Sequence, residues 1–263
     1  MLRILEMKPS GAYSWQHLTF VISLIVIFLG LAVFFAIKLR DKDDKNKNIP
    51  LIVAAISIDA IEIIKIIYHC VNTGDLSPLR TNLPLFLCSI QLITIPMVAF
   101  TRGRLKEISG DFVVCFGLLG CILGTVGAAQ NYNAYPVLSM VNINSGLTHC
   151  ISGFAGLYLM VSGMATMKVK NIVWCCVIMT VFCGLAIVAN YTLDYNYMFL
   201  RSDDGTPYSI FYGWVNGNPV LYPMIVIFCF YLIIGLTYAG YAPVRRRRAR
   251  KALLDSMNEE KNS

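Results

Sequence analysis

Apolar residues run along this chain in seven stretches of about twenty, at roughly 18–38, 50–70, 83–101, 110–130, 138–165, 171–190 and 220–242. A helical run of about 18 or more apolar residues is long enough to cross a hydrocarbon core of roughly 30 Å. The polar positions between the runs alternate in basic charge. Lys38, Arg40, Lys42, Lys45 and Lys47 follow the first run, Arg80 alone follows the second, and Arg102, Arg104 and Lys106 follow the third. No basic residue falls in 131–137. Lys168 and Lys170 come next, then Arg201 alone in 191–219, and the last run ends on Arg245–Arg248, Arg250 and Lys251. Lys and Arg gather in short loops on the cytoplasmic side. The pattern therefore predicts an all-α polytopic integral membrane protein, a bundle of seven transmembrane helices with its N-terminus out and its C-terminus in.

Composition narrows the organisation further. With 57% hydrophobic residues in a chain of 263, residues 1–263 read as a single membrane domain, in which 243–263 form a basic cytoplasmic tail. Residues 1–17 lead into a long apolar run without a small-residue cleavage site, so the first span is expected to be retained. The setting implied is a cell membrane, crossed several times. Most of the +7 net charge lies in cytoplasmic loops and tail, so it reports topology and no nucleic-acid partner is expected. At the surface, Arg245–Lys251 should attract anionic lipid, by about 1 kcal/mol per basic residue. All nine cysteines fall within the runs or at their edges, so a disulfide framework is not expected, and no spacing resembles a metal site.

Two features depart from plain apolar filling. Segment 191–219 holds Tyr191, Tyr195, Tyr197, Phe199, Tyr208, Phe211, Tyr212 and Trp214 among Asn, Asp, Gly and Pro, which suits an ordered loop at the outer interface. In the fourth run, Gly117, Gly120, Gly124 and Gly127 recur at i, i+3, i+7 and i+10, one helix face on which a neighbouring backbone can approach closely.

Ionisable groups inside a span are costly and mark sites until a partner is found. In the second run Asp59, Glu62, Lys65 and His69 fall within an arc of about 120°. They form either a structural ion pair between helices or one wall of a polar cavity. The fifth run carries Asn142, Ser145, His149 and Ser152 on one stripe, with His149 the deep histidine of the chain and His17 and His69 at the interfaces. A neutral imidazole there can bond a carbonyl or act as a general base. In the third run Cys88 stands near the outer end, followed by Ser89 and Gln91. A thiol in apolar surroundings is inert unless a base stands beside it. Cys88 with His149 is the smallest set that supports covalent acyl chemistry.

Together, Leu83-Pro84-Leu85-Phe86-Leu87-Cys88, His149 seven residues after Asn142, and Asn190 followed by Asn196-Tyr197-Met198-Phe199-Leu200 resemble one family over essentially the whole chain. It is the bacterial YwaF-like integral membrane proteins, related to the transmembrane protein 164 acyltransferases. The resemblance implies an integral membrane phospholipid acyltransferase working through a cysteine thioester. Cys88 would accept the acyl chain and His149 would be its base. Asn196, Tyr197 and Phe199 would line the cavity. Gln91 and Asn142 are candidates to stabilise the oxyanion, with Ser145 on the same wall. Phe86 departs from the family pattern, which often has His or Gln there. The partners implied are membrane phospholipids and lysophospholipids, and no cofactor is called for. Two other readings stand beside this one: a transporter using the Asp59/Glu62/Lys65 face as an ion relay, and a seven-helix receptor or sensor.

The topology is open to direct test. A reporter fused after Lys251 should be cytoplasmic and one inserted in 203–206 external; both on one side would refute the span count.

Overall fold

The computed structural model describes residues 8–262, and among them every regular element is helical. The long helices are α1 (Trp15–Lys38), α2 (Asp44–Thr73), α5 (Gly103–Val126), α7 (Met140–Ser162), α8 (Ile172–Thr192) and α10 (Leu221–Asn262). Shorter pieces are α3 (Ser77–Thr81), α4 (Gln91–Phe100), α6 (Ala129–Ala134) and α9 (Ser209–Trp214). Four segments, Trp15–Lys38, Gly103–Ala134, Val169–Thr192 and Leu221–Arg248, are long and apolar enough to cross a membrane. The remaining long helices, α2 and α7, carry the polar stripes read above.

Local chemistry sets the helix starts. Ser14, Asp43 and Ser139 stand at the N-caps of α1, α2 and α7 in extended conformation, each side chain accepting a backbone N–H three residues on. Gly74 and Gly163 close α2 and α7 in the left-handed conformation, at φ 72° and 82°. α10 runs on as helix through the basic segment to Asn262.

One predicted span is corrected. The pattern gives a single helix over 83–101, yet the helix covers only Gln91–Phe100. Pro84 explains the difference, because it lacks a backbone donor and pushes Leu83 away from helical geometry. Residues 83–90 instead form a chain of tight turns, with Leu85 N–H on Leu83 O at 2.7 Å and Gln91 N–H on Cys88 O at 3.2 Å. Cys88 thus sits in a turn that leads into α4, not within a helix.

The core is built on α5 and α7, packed side by side. α1 and α2 lie against α7, α4 against α5 and α2, and α8 with α10 close the other flank. Loop contacts sort the connections to two ends. At one, Tyr158 Oη donates to Lys47 O at 2.6 Å, Lys106 Nζ to Asn48 Oδ1 at 2.6 Å, and Lys168 pairs with Glu107 at 2.8 Å. We call this the basic end. At the other, Ala12 N–H donates to Asn133 Oδ1 at 2.7 Å and Gln130 Nε2 to Asp204 O at 2.8 Å, beside the aromatic loop.

Asp111, two turns into α5, has no exposed surface. Its Oδ1 accepts Met167 N–H at 2.8 Å, and its Oδ2 accepts Asn171 Nδ2 at 2.8 Å and Tyr238 Oη at 3.0 Å. One carboxylate thereby ties α5 to the turn before α8 and to α10. Asp111→Leu strands three buried donors, each at a cost of about 1–3 kcal/mol. Asp111→Asn keeps an acceptor oxygen and should lose less. Thermal unfolding of the purified proteins ranks the two, and equal Tm values would refute this role.

Candidate functional site

The site begins with the absence of side chains on α5. Gly117 lies under α7 so closely that a β-carbon there would be 2.5 Å from Ser152 O. Gly153 and Gly156 of α7 meet Cys121 and the Val113–Leu118 backbone in the same way. With the helices this close, the His149 ring lies flat on the Cα of Gly124, and any β-carbon there would overlap the imidazole. The glycine face predicted for packing therefore also forms the seat of a histidine. Gly120, on the same stripe, faces open space.

The two deep-lying histidines behave differently. His17, expected at an interface, has no exposed surface. It stacks on Tyr132 at 3.6 Å, accepts Tyr13 N–H on Nδ1 at 3.0 Å, and so donates from Nε2 to Thr125 O at 3.3 Å. Both nitrogens are engaged, and this histidine is structural. His149 makes no hydrogen bond among the described residues; its ring nitrogens are free to take a proton. His149 and Cys88 are both half-buried.

α2 supplies the charge. Glu62 and Lys65, one turn apart, pair at 2.6 Å with side chains 14% and 23% exposed. A pair in that position is neither solvent-screened nor fully dry. The Lys65 ammonium is near enough to act electrostatically on both the Cys88 thiol and the His149 ring, and the Glu62 carboxylate on Cys88. Asp59 is half-buried one turn nearer the basic end and within the field of Glu62.

The Cys88 turn is held by the aromatic loop. Asn190, almost fully buried at the end of α8, accepts Tyr197 N–H at 2.5 Å and returns Nδ2 to Tyr197 O at 3.1 Å. These two bonds fix a turn in which Met198 and Phe199 both have φ of 55°, a conformation costing about 1–3 kcal/mol per residue outside glycine. The Tyr197 hydroxyl then donates to Arg80 O and accepts Leu83 N–H at 3.4 Å. Phe86 packs its ring among Tyr195, Tyr197 and Phe199, with centroids 6.2, 5.1 and 6.2 Å away. Here Phe86 replaces any polar contribution with an anchor for the turn. Tyr197 acts as a clamp on that turn, and Asn196 knots its own loop, donating to Ser202 O at 2.7 Å and to Asp204 Oδ2 at 2.7 Å.

The remaining predicted residues separate. Gln91 is buried, its Oε1 fixed by Thr94 Oγ1 at 3.0 Å, while its Nε2 has no partner. A buried donor left free three residues from Cys88 fits an oxyanion role. Asn142 lies two turns from His149 and spends its Nδ2 on Tyr135 O at 3.3 Å and Pro136 O at 2.8 Å, holding the loop before α7. Ser145 is half-buried one turn before His149. Two cavities lie away from Cys88 and His149. One, of about 230 Å³ between α8 and α10, is lined by Asn190, Leu200 and Met224 among others; the other, of about 260 Å³, is at the basic end.

The glycine face makes a stability contrast. Gly117→Ala forces a methyl against the Ser152 carbonyl and should lower Tm by several degrees. Gly120→Ala should be neutral or stabilise by up to about 1 kcal/mol through helix propensity. Calorimetry of both checks the packing, and reversal of the order would refute it.

No curated protein and no solved structure matches the chain. The sequence profile of the TMEM164 family matches residues 12–237, from the turn before α1 to the apolar part of α10, and the chain belongs to that family.

Proposed function

We propose that this protein is an integral membrane acyltransferase that moves a fatty acyl chain between glycerophospholipids through a thioester on Cys88. The observation that carries the reading is His149. It is a half-buried imidazole seated on Gly124 without a hydrogen bond among the described residues, and Cys88 is the one cysteine that stands in a turn. Membership of the TMEM164 family supports a membrane setting. The bundle is proposed to cross a cell membrane seven times, N-out, with the Cys88 turn and α4 making one crossing together.

In the first half-reaction His149 takes the thiol proton, and the Cys88 sulfur attacks the ester carbonyl of the donor phospholipid. The acyl C–O bond breaks, and the departing lysolipid oxygen recovers the proton from His149. In the second half, an acceptor lysolipid hydroxyl gives its proton to His149 and attacks the thioester; the C–S bond breaks, and the leaving Cys88 thiolate takes that proton back from His149. Splitting one hard displacement into two predicts ping-pong kinetics. Gln91 Nε2 would donate to the oxyanion in both halves; losing such a donor typically costs about 10²–10³ in rate.

The test uses purified protein and an alkyne-tagged phospholipid donor. Cys88 should acquire a label that hydroxylamine releases. Cys88→Ala should abolish both label and transfer, while Cys150→Ala, beside the base, should keep them. Gly124→Ala displaces the His149 ring and should slow labelling by about 10², the usual cost of misplacing a catalytic group by roughly 1 Å. A folded Cys88→Ala protein that transfers acyl chains at the wild-type rate would refute the mechanism.

A further inference from the structure

At the basic end, far from Cys88, α1, α7 and α10 enclose a cavity of about 260 Å³ lined by Ala36, Ile37, Arg40, Val161, Ser162, Gly163 and Arg248. Its size is just below the roughly 300 Å³ at which small-molecule sites begin, so it suits a head group rather than a whole lipid. Its chemistry is one-sided. Two arginines line it, and no acidic residue lines it among the described residues.

Arg248 is held in place for this. Its Nη2 donates to Met160 O at 2.8 Å, its guanidinium lies over the Tyr241 ring at 5.7 Å, and it rests on the face of Gly163. The bond to Met160 also answers the negative end of the α7 dipole, which would otherwise repel an anion. One bond leaves most of the five N–H donors of the guanidinium unused. Arg40 makes no side-chain hydrogen bond or ion pair among the described residues. Ser162 Oγ, at the cavity wall, is buried and without a partner. Planar forks and a hydroxyl donor are the groups that bind phosphate oxygens in charge-assisted, bidentate geometry. Beside the opening, Phe34, Ile37 and Val161 present apolar surface, 53%, 66% and 44% exposed, along which acyl chains can lie.

We infer that this cavity binds the phosphodiester of a membrane phospholipid, with Arg40, Arg248 and Ser162 on the phosphate and the acyl chains against α1 and α7. This is a built site and differs from the diffuse attraction of the basic segment as a whole. Arg246, Arg247 and Arg250 do not line it.

The test is retention of phosphatidylglycerol by the full-length protein in detergent, read by native mass spectrometry. Diacylglycerol serves as the phosphate-free control and inorganic phosphate as competitor. Wild type should hold phosphatidylglycerol well above diacylglycerol. Arg40→Gln/Arg248→Gln should cut that retention roughly tenfold, as expected when charge-assisted bonds are lost, and Arg246→Gln/Arg247→Gln should leave it within about twofold. Arg248→Gln removes a helix cap, so Arg40→Gln alone provides the check that does not depend on folding, with a drop of roughly threefold. Undiminished retention in the cavity variants, or an equal loss in the Arg246/Arg247 variant, overturns the site. Displacement of the lipid by millimolar inorganic phosphate overturns the lipid as occupant. Acyl labelling of Cys88 lies at the opposite end of the bundle and is scored separately, so neither result decides the other.

Discussion

The closeness of α5 to α7 governs the rest of the molecule. Helices approach this near only where side chains are missing from both faces, and here Gly117 and Gly124 on one helix face Gly153 and Gly156 on the other. Within a bilayer there is little hydrophobic drive to press helices together, so small residues and dispersion contacts do that work. The consequence for chemistry is geometric. A histidine on a loosely packed helix would rotate to find a carbonyl, as His17 does with Thr125. His149 instead lies against a bare Cα, which fixes its plane without occupying its nitrogens.

The polar groups of the bundle divide by how completely they are satisfied. Asp111 accepts three bonds and joins three elements, and Asn190 pairs both ways with one peptide unit. Satisfied networks of this kind stiffen a core. Other buried polar atoms are left without a partner among the described residues, Ser109 Oγ, Asn144 Nδ2 and Tyr222 Oη among them, and Gln91 Nε2 is the one that lies three residues from Cys88. A buried donor left free is costly to fold around.

Much of this was legible in the sequence, and the failures are instructive. Hydrophobic run length located α1, α2, α5, α7, α8 and α10, because a 3.6-residue repeat buried all round leaves a long apolar signature. The same signal misread 83–90, where apolar residues line turns, and Pro84 was the available warning. The stripes on α2 and α7 were visible from spacing alone. How the two stripes are turned towards one another was not, because spacing within a helix says nothing of its rotation against a neighbour. Asn142 was read as an oxyanion donor from its stripe, and its amide is spent on the Tyr135–Pro136 carbonyls. Asp111 and Arg40 escaped notice because each sits near the edge of an apolar run, where a charged residue looks like ordinary flanking sequence.

The α2 face also bears on the choice between an enzyme and a relay. Proton or ion transfer across a membrane needs polar groups, or water, continuous from one end of the bundle to the other. On α2 the polar stripe stops at Asp59. Toward the basic end the buried positions are Ile58, Ala55, Ala54 and Leu51, all apolar and at most 5% exposed. The facing stretch of α7, Ala155, Tyr158 and Leu159, is equally closed, with the Tyr158 hydroxyl committed to Lys47 O. Along these two helices the polar groups are confined to the aromatic end and the packing below them is apolar, so they offer no continuous polar path across the bundle, which weighs against a relay.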